Sequence, residues 1–166
     1  MRILKHERLK YGLKDDKIYG VLFDISYLWE EYLGTILVSA GFEHPQNKNK
    51  TGRKYLANGG KLPRYPDFYR SCDGSIIDAK YKSEIDKIDD INQIITYMYR
   101  LKGKRGIFIQ PTVTPCQLQT YELLGYGEEN QAKIDLYSYP IPQRINSYKN
   151  FITGIMKSES ELRRLI

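Results

Sequence analysis

Asp67, Asp78 and Lys80 are the residues from which chemistry can be argued. They lie in the stretch 65–82 (Y-P-D-F-Y-R-S-C-D-G-S-I-I-D-A-K-Y-K), on either side of Asp73-Gly74. Asp-Gly signals a hairpin, because a tight turn between strands needs positive φ, which glycine adopts without strain. The turn predicts one strand ending in Asp67-Phe68-Tyr69 and a second over 75–81, filled by Ile76, Ile77 and Ala79. Alternation puts Asp78 and Lys80 on one face, and the twist of a hairpin can bring Asp67 to the same edge. Two adjacent carboxylates repel each other, and a hard divalent cation with oxygen ligands, most simply Mg²⁺ with Mn²⁺ as a substitute, makes the pair tolerable. A lysine beside them can position or help deprotonate a water and offset charge on a phosphorane. The plainer reading is a solvated hairpin with an ordinary Asp–Lys pair. A lone D-x-K carries almost no weight; the Pro66-Asp67 pair, the hairpin spacing and the Ile-Ile lead-in add to it.

These residues need elements to hold them. Residues 24–40 read as a helix, with Asp24 or Ser26 as cap, a stripe of Ile25, Leu28, Trp29, Tyr32, Leu33, Ile36 and Leu37, and Gly41 as stop. Glu30 borders that stripe and Glu31 points away from it. Periodicity alone leaves both as solvated glutamates or Glu30 as an inward carboxylate. Beyond the hairpin, Asp89 or Asp90 is read as the cap of a helix reaching about residue 101, with Ile91, Ile94, Ile95 and Met98 as its core face. Gln93 and Tyr97 share another face, and Asp86, Asp89 and Asp90 are read as caps and solvating charges. A buried strand is expected over 104–111. A short helix is expected from Thr114-Pro115 to Gly125, a strand over 133–139, and a closing helix over 147–165 with Phe151, Ile155, Met156, Leu162 and Leu165 inward.

The 26 basic and 20 acidic residues give a net charge of +6, which weakly favours a polyanionic partner. The distribution says more. Residues 44–66 carry Lys48, Lys50, Arg53, Lys54, Lys61 and Arg64 with no acid, among Asn and Gly breaks. They read as a loop with a short strand near Tyr55-Leu56 that contacts phosphates, or as a solvated insertion. His44 reads as a surface or loop histidine. No apolar run is long enough to span a bilayer and the N-terminus has no signal-peptide core, so a cytoplasmic location is expected. Cys72 and Cys116 are too few for a thiolate metal site.

Pro66-Asp67 with Asp78-Ala79-Lys80 resembles the PD-(D/E)xK nuclease motif, and Gln93-Ile94-Ile95-Thr96-Tyr97 resembles the Q-h-x-x-Y element of RecB-like members. The run from Phe23 through Leu33 resembles the helix that opens the nuclease domain of the McrC family, and Asp78-Ala79-Lys80-Tyr81-Lys82 resembles that family's motif strand. The ordered set covers about residues 20–112. It implies an α/β, restriction-endonuclease-like core with a central mixed sheet flanked by helices, over residues 21–166. Residues 1–20 would then be a lead-in, a short hairpin or a remnant of an upstream domain, since relatives in that family carry a further N-terminal region. The implied activity is Mg²⁺-dependent DNA cleavage. Asp67, Asp78 and the Ala79 carbonyl would hold the ion, Glu30 would complete the site or assist a second ion, Lys80 would orient the attacking water, and Gln93 would be an orienting group. The implied partners are DNA and a McrB-like AAA+ GTPase, and the chain contains no Walker motif of its own. Two cysteines do not suit the RecB-like subfamilies that bind an iron–sulfur cluster. The rival readings are a catalytically silent nuclease-like module for DNA binding or assembly, and a standalone RecB-like nuclease.

Overall fold

The segment 75–79 has apolar residues on both of its faces, so both must be covered. In the computed structural model, residues 8–9, 18–19, 24–45, 50, 52–82, 84–86, 88–125, 132–143 and 146–166 are described. The elements run β1 (Arg8–Leu9), β2 (Ile18–Tyr19), α1 (Ile25–Leu37, extended by a 3-10 turn Val38–Ala40), β3 (Lys54–Ala57), β4 (Lys61–Arg64), β5 (Phe68–Arg70) and β6 (Ser75–Ala79). They continue as α2 (Asp89–Leu101), β7 (Arg105–Thr112), β8 (Gln117–Glu122), β9 (Lys133–Pro140) and α3 (Tyr148–Leu165). Five strands form one mixed sheet in the order β5-β6-β7-β9-β8. The inner strands β6, β7 and β9 are parallel, and β5 and β8 close the edges antiparallel.

Strand alternation sorts the core into two layers. Phe68, Ile77, Ile107, Ile109, Tyr137 and Tyr139 meet Trp29, Leu33, Ile36 and Leu37 of α1 and Leu162 of α3 on one face. Tyr69, Ile76, Phe108 and Ile134 meet Ile94, Tyr97 and Met98 of α2 on the other. Each such fully buried side chain contributes roughly 1.5–3 kcal/mol of transfer free energy. Two local contacts set the helices against the strands that carry the candidate residues. Trp29 Nε1 donates to the Ile109 carbonyl at 3.2 Å, pinning α1 over the end of β7. Gly74, at φ 68°, and Gly103 meet backbone to backbone, so that a Cβ on Gly103 would lie 1.9 Å from the Gly74 oxygen. The β5–β6 turn is thereby seated on the end of α2.

Helix α1 forms as its pattern predicts, with the Asp24 carboxylate accepting from the Tyr27 N–H and Gly41 leaving at φ 85°. Several expectations are corrected. Residues 114–125 hold no helix but β8, which pairs along six residues with the free edge of β9. The stretch has no apolar stripe to bury, and the sheet edge satisfies its backbone instead. In the basic stretch the strand expected near Tyr55-Leu56 is β3, but it is joined by β4 in an antiparallel hairpin whose turn passes through Gly59 and Gly60, both at positive φ. Ile88 is the N-cap residue of α2 and carries no side-chain cap bond; Asp86, two residues earlier, accepts from the Ile88 and Asp89 N–H groups through Oδ1. The core face of α2 includes Tyr97, while Ile91 and Ile95 are only partly buried. Ile25, Leu28, Phe151 and Met156 are exposed rather than core. Residues 1–20 fall outside the described residues except for β1 and β2, which pair as a short antiparallel hairpin. No helix among the described residues is long and apolar enough to cross a membrane.

Candidate active site

The carboxyl ends of parallel strands leave a crevice in α/β sheets, and the candidate residues gather at the end of β6. Asp67 stands just before β5, where its Oδ2 accepts from the Ala79 N–H at 2.9 Å. This bond continues the β5–β6 register by one position and sets Asp67 beside Asp78. Asp78, only 2% exposed, and Lys80 leave the strand on the face covered by α2. With Glu30, Ala79 and Gln93 they line an open cleft of about 290 Å³ that Asp24, Ser26 and Tyr27 at the start of α1 also border. Glu31 does not line it.

Helix α2 furnishes the other wall. Asp90, Gln93 and Tyr97 fall on one helical face by their three- and four-residue spacing. Lys80 Nζ lies 2.9 Å from Gln93 Oε1, 2.6 Å from Asp78 Oδ2 and 3.2 Å from Asp90 Oδ1. The Gln93 amide donates to the Tyr97 hydroxyl at 2.6 Å, and that hydroxyl donates to the Tyr65 carbonyl at 3.1 Å. An unbroken chain of hydrogen bonds thus ties the ammonium of Lys80 to the backbone immediately before Pro66-Asp67.

Glu30 reaches the cleft from α1. Its Oε1 accepts from His44 Nε2 at 3.0 Å. His44 is not a surface histidine: its ring packs on Phe68 with centroids 4.5 Å apart. The absent side chain of Gly34 makes room for it, since a Cβ there would sit 2.8 Å from His44 Nδ1.

The electrostatics follow from this crowding. Burial first, then the charges of Asp78 and Glu30, push the Asp67 carboxyl well above its ordinary value. Burial also raises Asp78, against the pull of Lys80. For Lys80, burial opposes the charge, but Asp78 and Asp90 outweigh it and hold the ammonium above its usual value. Burial pushes the Tyr97 phenol up to about 12, so it stays a hydrogen-bond donor. The cleft therefore carries more carboxylate than it can keep ionised without a further cation. Asp78 Oδ2 is buried, with the Lys80 ammonium 2.6 Å away. Asp67 and Asp78 are the two carboxylates brought side by side in the cleft. Among the described residues no group of three His, Cys, Asp or Glu side chains gathers in cation-binding geometry.

The basic residues lie to one side. Lys50, Arg53 and Lys61 are exposed, whereas the Lys54 ammonium rests 4.2 Å from the centre of the Tyr69 ring and donates to its hydroxyl. Arg64 borders a second groove of about 370 Å³ between β4 and α2, which meets the first cleft at Gln93. Lys48 lies outside the described residues.

Residues 2–111 match the family described as the McrBC 5-methylcytosine restriction system component. The chain belongs to this McrBC family. The matched segment contains α1, the β5–β6 hairpin, α2 and nearly all of β7, hence every residue of the cleft. No curated protein matches the chain. Among solved structures, the chain is similar to one from the refined half-complex of a tetradecameric assembly of Thermococcus gammatolerans McrB AAA+ hexamers with bound McrC. The TM-score is 0.55 at 14% identity, covering 89% of this chain and 35% of that one. The present chain thus spans about a third of the solved chain's length. At that identity the likeness is one of fold.

Three features of the site escaped the sequence reading. Asp90 is 6% exposed and joins Lys80 to Lys82 instead of capping α2. Its spacing of three from Gln93 was the available signal. His44 could have been found from Gly34, since a glycine inside a helix costs about 1 kcal/mol and marks a close approach. The anchorage of Tyr97 on the Tyr65 carbonyl had no sequence signal.

Proposed function

We propose that this McrBC-family chain is the nuclease domain of a McrC-like subunit, with a PD-(D/E)xK core that hydrolyses DNA phosphodiester bonds with Mg²⁺ or Mn²⁺. The observation that carries the reading is the convergence of Asp67, Asp78, Lys80 and Gln93 on one cleft. A hard divalent cation fits the donors: two neighbouring carboxylates, both raised by burial, with Asp78 and Glu30 raising Asp67 further. Asp67 and Asp78 would hold it, with the Ala79 carbonyl beside them and Glu30 adding charge from α1. When bound, such an ion neutralises phosphate charge and makes water more acidic. The protein's own groups do the remainder. Lys80, fixed by Gln93, offers an N–H to the attacking water or to a phosphate oxygen as negative charge develops there. Gln93 is itself fixed by Tyr97, which keeps the α2 wall in register with Asp67. The exposed cations Lys50 and Arg53 before β3 and Lys61 at the start of β4 supply sequence-independent contacts to the DNA backbone. Its location is expected to be cytoplasmic.

The partner in this reading is a McrB-like AAA+ GTPase that supplies translocation. Family membership and the fold likeness to a chain from an assembly of McrB hexamers with bound McrC support it. One observation favours a second reading, a catalytically silent module for DNA binding or assembly: among the described residues no three His, Cys, Asp or Glu side chains gather in metal-binding geometry. Nicking of supercoiled DNA with Mg²⁺ and the partner GTPase separates the two. Asp78→Ala and Lys80→Ala are expected to lose cleavage while keeping the circular dichroism of the wild type. Full cleavage by folded Asp78→Ala protein rules out the proposed centre. Cleavage by the wild type without any partner, or only at ends, would instead identify a standalone RecB-like enzyme.

A further inference from the structure

We propose that Asp90 is a positioning residue that receives the Lys80 ammonium and so leaves Asp78 free to bind a divalent cation. The inference rests on the nuclease reading above and adds to it a residue outside the recognised motifs. Three acceptors surround Lys80 Nζ, and an ammonium has three N–H groups: Asp78 Oδ2 at 2.6 Å, Gln93 Oε1 at 2.9 Å and Asp90 Oδ1 at 3.2 Å. Without a divalent ion, Lys80 thus neutralises Asp78, and a cation arriving there competes with it. An ammonium leaving Asp78 needs another anion at hand, because a buried charge without a partner is strongly unfavourable.

Asp90 is built for that task. It is buried and sits one helical turn before Gln93 on the same face of α2. Its second oxygen is fixed by the Asp86 N–H at 2.6 Å and by Lys82, so its position is set whether or not Lys80 presses on it. Gln93 can accept from Lys80 but cannot neutralise it. Asp90 is the group that keeps the ammonium paired when Asp78 turns to the metal, and it leaves one N–H pointing into the cleft for a water or phosphate oxygen.

A double-mutant cycle on cation affinity tests this without relying on turnover. Mn²⁺ is titrated into the full chain without DNA, and the free ion is counted by its paramagnetic resonance. Asp90→Asn retains an acceptor for the Asp86 N–H but removes the charge. It should weaken Mn²⁺ binding by about 10- to 100-fold, the usual range for groups supporting a metal ligand. Asp90→Glu, which restores a carboxylate, should bind within a few-fold of the wild type and serves as the second variant if the Asn protein is unstable. In a Lys80→Met background the Asp90→Asn effect should vanish, because no ammonium remains to compete. Unchanged affinity in Asp90→Asn overturns the proposal. An equal loss with and without Lys80 also overturns it, since Asp90 would then act through its own field or through the fold. Failure of the wild type to bind Mn²⁺, or full binding by Asp78→Asn, removes the metal-centre reading itself. Binding that depends on Asp78 but not on Asp90 leaves that reading standing.

Discussion

Replacing Asp67 by Asn removes one negative charge yet keeps an oxygen for the Ala79 N–H that Asp67 accepts at 2.9 Å. The carboxyl of Asp67 is held well above its ordinary value by burial, by Asp78 and by Glu30. A group raised in this way binds its proton more tightly in the folded than in the unfolded protein. The wild type without metal therefore has its full stability below the unfolded value of about 3.9, and loses it as pH rises through the folded value. Asn does not titrate, so metal-free Asp67→Asn should melt above the wild type at pH 8, and the gap should narrow on acidification. Each tenfold difference in proton affinity is worth about 1.4 kcal/mol, or roughly 2–4 °C per kcal/mol for a domain of this size. A divalent cation reverses the order. At a hundred times its dissociation constant it stabilises the wild type by about 2.7 kcal/mol, on the order of 5–10 °C, whereas a variant with a single carboxylate gains little. Thermal unfolding at pH 6 and pH 8, with and without Mg²⁺ or Mn²⁺, reads both effects. The reasoning fails if metal-free Asp67→Asn melts below the wild type at pH 8, or if the wild type does not respond to either ion.

Two other perturbations probe the surroundings. Changing Lys50, Arg53 and Lys61 to Ser should reduce the magnitude of the log–log salt slope for DNA binding by up to about 2.7, or 0.9 for each phosphate that is no longer neutralised. Adding Lys54→Ser should change it little, because that ammonium already serves Tyr69; anisotropy titrations across salt concentrations decide. Tyr97→Phe deletes the hydroxyl between the Gln93 amide and the Tyr65 carbonyl, so it should cost about 1–3 kcal/mol in denaturant unfolding. It should also slow nicking at unchanged Mn²⁺ affinity, and wild-type stability together with a wild-type nicking rate would show that this chain of bonds positions nothing.

What the sequence carried was the part written in local rules. Asp73-Gly74 set the hairpin, period-two alternation put Asp78 and Lys80 on one face, and the 3.6-residue stripe with its Asp24 cap set α1. What it could not carry was decided by neighbours distant in the chain. Residues 117–122 take their structure from the edge of β9, which no local pattern announces. Asp90 looked like a cap because Asp commonly is one at a helix start, but it lies inside the first turn, with Ile88 in the cap position. That frees Asp90 to turn inward to Lys80. The motif-strand residues were legible because one strand carries two of them. The support shell was not, because it joins α1, α2 and two loops through side chains.

The same geometry explains how a site with so much buried charge is compatible with a stable fold. Its carboxylates sit at the end of β6, beyond the apolar layers formed by Ile76 and Ile77, so their repulsion acts on a cleft and not on the core. Lys80 offsets that repulsion while no cation is bound. The Gln93–Tyr97–Tyr65 chain makes the cleft's two walls, α2 and the approach to β5, move together or not at all. In the proposed reading a divalent ion would take the place at Asp78 that Lys80 fills without it. Catalytic preorganisation demands this of a scaffold: the groups facing developing charge must be fixed before it develops. The residues on which such preorganisation depends here are those of α2, which make no contact with the phosphate in this reading and keep Lys80 where it is needed.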